Sequence, residues 1–101
     1  MESDLLPVVH PGEILLAEFL KPLGISQNQL ARAMNITPMR INEICRGHRA
    51  ITADTALRLA QVLGTSSGFW INLQADHDLE VARRAAGERI AELPRLVPRA
   101  A

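Results

Sequence analysis

Apolar residues recur along this chain at spacings of three and four, separated by capping and turn residues. No run alternates at the period of two that a half-buried strand requires, so the pattern predicts an all-α fold with five helices. The first runs from about Pro11 to Lys21. Pro11 suits the first turn, Glu13 sits near the positive end, and Ile14, Leu15, Phe19 and Leu20 form the apolar stripe. Pro22 and Gly24 are expected to end it. Ser26 caps a second helix, with Gln29 completing a capping-box pattern and Leu30, Ala31 and Met34 on one face. Asn35 stops that helix because Asn tolerates a left-handed backbone. Thr37 caps a third helix with Pro38 at its first position, Ile41, Ile44 and Cys45 facing inward, and Gly47 as the stop. Thr52 caps a fourth helix, with Leu57, Leu59, Ala60 and Leu63 as its inner face and Gly64 closing it. Ser66 caps a fifth, from Ser67 to about Ala86, with Gly87 as its end. Pro94 and Pro98 limit the tail to one or two further turns, and its end is expected to be loosely ordered. The chain thus divides into an N-terminal segment 1–9, a helical domain 10–86 and a tail 87–101.

The second and third helices, joined by a turn of three to four residues, have the spacing of a helix-turn-helix, the unit that places its second helix in a DNA major groove. With Ile41, Ile44 and Cys45 turned inward, the third helix leaves Pro38, Met39, Arg40, Asn42, Glu43 and Arg46 for the turn side and solvent. Arg bonds a guanine edge with two donors, Asn does the same for adenine, a carboxylate accepts from cytosine, and Met offers apolar contact to a thymine methyl. Met39 and Arg40, near the N-terminus of that helix, are the first candidates for base reading. Each of these residues also makes sense as an ordinary solvated position; the set together points to DNA.

The 101 residues suit one domain with a small core, and 48% hydrophobic content with 3% aromatic implies aliphatic helix packing. The formal net charge is zero, but its distribution is uneven. Between Lys21 and Leu63, Lys21, Arg32, Arg40, Arg46, Arg49 and Arg58 face only Glu43 and Asp54, and local charge is what a phosphate backbone feels. Cys45 is the only cysteine, so no intramolecular disulfide forms, and its apolar face makes it a small core residue rather than a reactive thiol. The N-terminal MESDLLPVV lacks the features of a signal peptide, no apolar run has membrane-span length, and a cytoplasmic protein is expected. His10, His48 and His77 lie in different elements without metal-ligand spacing to the cysteine. Asp76, His77 and Asp78, consecutive on a helix, point about a hundred degrees apart and do not converge on one ion. Neither a phosphate loop nor a nucleophile motif is present. Enzymatic activity, a metal and a cofactor are therefore not expected.

The segments HPGEILLAEFL, GISQNQLARAMNI leading to RINEICRG, RAITADTALRLAQVLGTS and FWINLQADHDLEVAR together resemble the HigA/VapI-type antitoxins, a branch of the lambda-repressor-like helix-turn-helix family. The resemblance covers about residues 10 to 84, and its last two segments are the more specific. It implies a five-helix domain with an extended C-terminal helix. It also implies a homodimer that binds a double-stranded operator near its own genes and neutralises a RelE- or HigB-like toxin that cleaves messenger RNA. Within that pattern Gln27 matches a glutamine that braces the phosphate backbone, and Thr37 to Glu43 match the recognition-helix positions. Arg46, His48 and Arg49 match the basic loop that follows, where related chains often carry Lys in place of His48.

Phe69 and Trp70 are adjacent on one helix and cannot share a direction, so one is expected inward and the other toward a partner. Leu73, His77 and Val81 extend the apolar face beyond the compact domain, and a second copy of the helix is the simplest cover. Phe69, Trp70, Leu73, His77 and Val81 are therefore the candidates for a dimer or partner interface. Two other readings stay open from sequence: a stand-alone phage- or plasmid-type repressor without a toxin, and a toxin-neutralising interaction protein with little DNA binding.

Overall fold

Every helix in the computed structural model, which describes residues 6–98, begins on a side chain that satisfies an otherwise unpaired N–H. Ser26 Oγ accepts from the Gln29 N–H at 3.0 Å, Thr37 Oγ1 from Arg40 at 3.2 Å, Thr52 Oγ1 from Thr55 at 3.3 Å and Ser66 Oγ from Phe69 at 3.1 Å. At Ser26 only this hydroxyl half of the expected capping box forms. The first helix has a cap that the sequence pattern did not suggest: His10 Nδ1 accepts from the Gly12 N–H at 2.9 Å, and Glu13 Oε1 accepts from the His10 N–H at 3.3 Å. Helix ends are equally local. Asn35 has φ 57°, and the Ile36 N–H reaches back to the Ala31 carbonyl at 3.0 Å. This left-handed closure lets the chain reverse between the second and third helices.

Among the described residues there are five helices and no strand. They are α1 (residues 11–23), α2 (Gln27–Met34), α3 (Pro38–Cys45), α4 (Ala53–Leu63) and α5 (Ser67–Ala91). α1 contains a π turn over Leu15–Leu20, flanked by α turns. The wider turn places Leu15 and Leu20, five residues apart, both inside the core, and the Lys21 N–H bonds to the Leu16 carbonyl. Pro22, expected to end α1, is carried in its final turn, and the helix closes at Gly24 with φ 67°. A π turn just before the proline relieves the clash its ring would make with the carbonyl one α turn back.

The core joins α1, α2, α3 and α4 through Leu15, Leu20, Leu30, Ala31, Met34, Ile41, Ile44, Cys45, Ala56 and Leu59, with Ile51 and Trp70 closing it. Two expectations need correction. Leu57, assigned to the inner face of α4, is 62% exposed, while Thr55 and Ala56 are buried. Residues two apart on a helix point to opposite sides, so Leu57 cannot share the direction of buried Leu59. Gly87 does not end α5, which continues through it to Ala91, so the division between domain and tail at residue 87 falls inside a helix. A mid-helix glycine weakens a helix by about 1 kcal/mol, which flanking helix formers tolerate. Ahead of α1, Pro7, Val8 and Val9 line a groove of about 390 Å³ with Ile14, Leu73 and His77. The start of MESDLLPVV and the final residues of the tail lie outside the described residues.

At its first third α5 is fastened to the rest. Trp70 is fully buried, and its Nε1 donates to Thr65 Oγ1 at 2.7 Å. The Phe19 ring lies 5.1 Å from Trp70 and 5.9 Å from Phe69. Gln74 is buried too, its Oε1 accepting from the Ile51 N–H at 2.7 Å and its Nε2 donating to Asp78 Oδ1 at 3.0 Å. Beyond Gln74 no residue of α5 is buried. At about 1.5 Å per residue, the nearly five turns from Gln74 to Ala91 extend roughly 25 Å past this anchor.

Candidate nucleic-acid interface

Ala31, with no exposed surface, lets α2 and α3 approach closely, and Ile41, Ile44 and Cys45 turn the inner side of α3 into the core as expected. The outer side is then fixed by helical periodicity. Met39 is 70% exposed; Thr37, Pro38, Asn42 and Arg46 are exposed and Glu43 is half-buried. His48 and Arg49 are exposed in the loop after α3, where Gly47 takes φ 78°. Gln27 stands at the N-terminus of α2, beside the α2 amides that lack carbonyl partners.

Three contacts organise this face. Asn42 Nδ2 donates to Gln27 Oε1 at 3.2 Å, so the candidate phosphate brace and a candidate base reader are joined across α2 and α3. Arg49 Nε donates to Glu43 Oε1 at 2.8 Å, which offsets the one carboxylate on the outer side of α3. Arg40 departs from its expected place. Its Nη2 donates to Thr55 Oγ1 at 3.1 Å and lies 3.7 Å from Asp54 Oδ2, on the first turn of α4. Nearby, Arg58 Nε donates to Asp54 Oδ2 and Arg58 Nη1 to the Met34 carbonyl, each at 2.8 Å, which caps the end of α2. Asp54, Thr55 and Arg58 were not singled out from sequence. The Asp54–Arg58 spacing of four was the available signal; the contacts of Arg40 across fifteen residues had none.

The candidate interface on α5 divides. Trp70, one of its five members, is in the core and presents nothing to a partner, which is a correction; of the adjacent aromatic pair, Phe69 is the one turned out, at 37% exposure. Leu73 is half-buried against the core. The His77 ring packs edge-on against His10, with centroids 4.9 Å apart, and its Nδ1 lies 3.1 Å from Asp78 Oδ1. Burial foremost, and then His77, hold the His10 pKa below its ordinary value, while the His77 hydrogen bond holds the Asp78 carboxyl below its own. Val81 is 45% exposed, and Leu79, not singled out from sequence, is 58% exposed. Among the described residues no cluster of three or more His, Cys, Asp or Glu can hold a metal, and no helix is long and apolar enough to cross a membrane.

Residues 16–70 match a family model described as helix-turn-helix, HTH_3. The chain is similar to virulence-associated protein I of Dichelobacter nodosus, 51% identical over 79 residues that span 78% of this chain and 73% of that protein. Among solved structures it resembles Pseudomonas aeruginosa antitoxin HigA with the higBA promoter. There the TM-score is 0.84 at 42% identity, covering 90% of this chain and all of that one. It also resembles antitoxin GraA in complex with its operator, with TM-score 0.84 and 42% identity, covering 92% of this chain and 95% of that one.

Proposed function

As the chain belongs to the HTH_3 helix-turn-helix family, a non-enzymatic class of DNA-binding regulators and antitoxins, we propose that it is an antitoxin and autorepressor. In this reading it binds a palindromic operator near its own gene as a homodimer, in the cytoplasm, and neutralises a HigB-like toxin that cleaves messenger RNA. The observation that carries the DNA-binding half is the outer side of α3, where Met39, Asn42 and Glu43 stand free of the core between a capped helix N-terminus and a basic loop. The similarity to antitoxins held on a promoter and on an operator supports the same face.

The chemistry follows from the positions. Thr37 and Pro38 begin α3, and its first turn enters the major groove, where Met39 meets a thymine methyl and Asn42 an adenine edge. Gln27, at the N-terminus of α2, has its amide nitrogen available for a phosphate oxygen while its carbonyl oxygen holds Asn42. A phosphate contact thereby sets the orientation of a base reader. Arg46, His48 and Arg49 lie along the adjoining backbone, contributing affinity that is independent of sequence and falls with salt. A lone domain covers one half-site. The side of α5 that carries Leu73, His77 and Val81 at intervals of four, exposed at Val81, is the surface on which a second copy completes the pair.

The test uses purified protein, a duplex from upstream of its gene and an unrelated duplex of equal length. The reading expects the upstream duplex to shift at lower protein concentration, with affinity for both falling as salt rises. Equal affinity for the two duplexes would overturn sequence-specific binding. For the toxin half, co-expression with the neighbouring reading frame should relieve growth arrest and messenger cleavage caused by that frame alone. Unrelieved arrest would overturn it.

A further inference from the structure

Arg40 begins on the outer side of α3, about a third exposed, and turns toward α4. Its Nη2 is held by Thr55 Oγ1 at 3.1 Å, with Asp54 Oδ2 at 3.7 Å, and its Nε is sealed from solvent without a partner. The guanidinium is thus inserted edge-first between α3 and α4, and one of its two bidentate edges is turned away from any groove-bound base. The receiving group is built into the core. Thr55 is 1% exposed, and its hydroxyl is also bonded to Thr52 Oγ1, the cap of α4, at 3.2 Å. Asp54 is fixed in turn by Arg58, which holds the Met34 carbonyl. One polar network therefore ties the start of α3, the end of α2 and the start of α4. Swinging Arg40 out to a base would break its bond to a buried hydroxyl and separate it from Asp54, both of which a solvated surface arginine would be free of.

We propose that Arg40 is a positioning residue that sets the pitch of α3 against α4 through Thr55 and Asp54, leaving sequence reading to Met39, Asn42 and Glu43. The proposal rests on the reading of α3 as the recognition helix. Without the brace, α3 keeps its core contacts through Ile41 and Ile44 but is free to tilt at the end that enters the groove. A misplaced helix weakens all its base contacts together rather than one of them.

The experiment compares the full-length wild type with Arg40→Ala, Thr55→Val, the double variant and Thr55→Ser, at a temperature where all are folded by circular dichroism. Affinity is measured on the operator, on single-base-pair variants of it, and across a range of salt. Arg40→Ala and Thr55→Val should each lower operator affinity about tenfold, the lower end of what a hydrogen bond to a charged group contributes. The double variant should be no worse than either single one, and Thr55→Ser, which keeps the hydroxyl, should bind like the wild type. The order of base preferences and the salt slope should be unchanged. The proposal is overturned if Arg40→Ala erases the preference at one base pair, or lowers the salt slope by about one phosphate contact, while Thr55→Val binds normally. It is equally overturned if both variants lose stability but bind as the wild type does. Should the wild type itself discriminate no bases, the recognition-helix reading fails and the brace is decided by thermal unfolding of the same proteins. Non-additive losses for Arg40→Ala and Thr55→Val uphold it, and additive losses overturn it.

Discussion

Replacing Gly12 by Ala should destabilise the domain strongly, although the same change is favourable in most helices. A Cβ on Gly12 would stand 1.7 Å from the Ile44 carbonyl oxygen, 2.6 Å from its carbon and 3.0 Å from the Cys45 Cα. These are backbone atoms of α3, so no side-chain rotation relieves the clash. To restore van der Waals distance the start of α1 must move by roughly 1.5 Å, drawing buried Pro11 and Leu15 from the core. Against this stands a gain of about 1 kcal/mol from replacing glycine inside a helix. Overpacking costs about 1–3 kcal/mol where side chains can shift and more where they cannot, so the net loss should be at least about 2 kcal/mol. For a domain of this size that lowers the midpoint by at least roughly 8–16 °C. Gly68→Ala and Gly87→Ala are the internal controls. Gly68 has nothing within 4 Å of an added Cβ, and Gly87 meets only Arg83 Cγ at 3.4 Å, so both should be stabilised by about 0.5–1 kcal/mol. Urea and thermal unfolding at one fixed protomer concentration measure all three, since any self-association makes midpoints concentration-dependent. A Gly12→Ala protein as stable as the wild type would refute the close seating of α1 on the end of α3.

Acid should destabilise the fold through His10. Its folded pKa lies below 6.5 because of burial first and His77 second, with Asp78 and Glu13 opposing. The unfolded chain therefore binds more protons, so this contribution is complete above the ordinary value and is lost as pH falls through the folded value. Protonation also removes the Nδ1 acceptor of the Gly12 N–H. His10→Asn, which retains a capping side chain, should flatten the stability profile from about pH 7.5 to 5, and an unchanged profile would contradict this role. Val81→Glu should leave the protomer folded, because the site is exposed, yet shift sedimentation at micromolar concentration toward monomer and weaken operator binding, while Leu79→Glu, on the opposite side of α5, should do neither. Leu73 is unsuitable for that test because it packs on the core. Burial pushes the Cys45 thiol up, so it should react with an aromatic disulfide reagent only on unfolding; rapid reaction of the native protein would place it elsewhere.

Features set by a few neighbouring residues were legible in the sequence. Ser26, Thr37, Thr52 and Ser66 cap as read, Asn35 takes the left-handed turn, and Ile41, Ile44 and Cys45 face inward, because caps, turns and periodicity depend on adjacent positions. The misread features depend on what lies across the fold. A 3.6-residue template cannot anticipate the π turn that aligns Leu15 with Leu20. Trp70 was separated from Phe69 by the position of Phe19 and Thr65, not by composition. Gly87 looked like a stop, but it lacks the left-handed backbone that ends α1 at Gly24 and α4 at Gly64. The hydrogen bond of Arg40 to Thr55, fifteen residues along the chain, left no local signal either.

The central claim is that two copies of α3 read one operator, and a footprint on the DNA upstream of the gene tests it most directly. The account predicts two protected patches on one side of the duplex, centred about 34–36 Å apart. A base change within either patch should cost about 1–3 kcal/mol of binding. Uniform protection along the duplex, or a single patch indifferent to base changes, would contradict it.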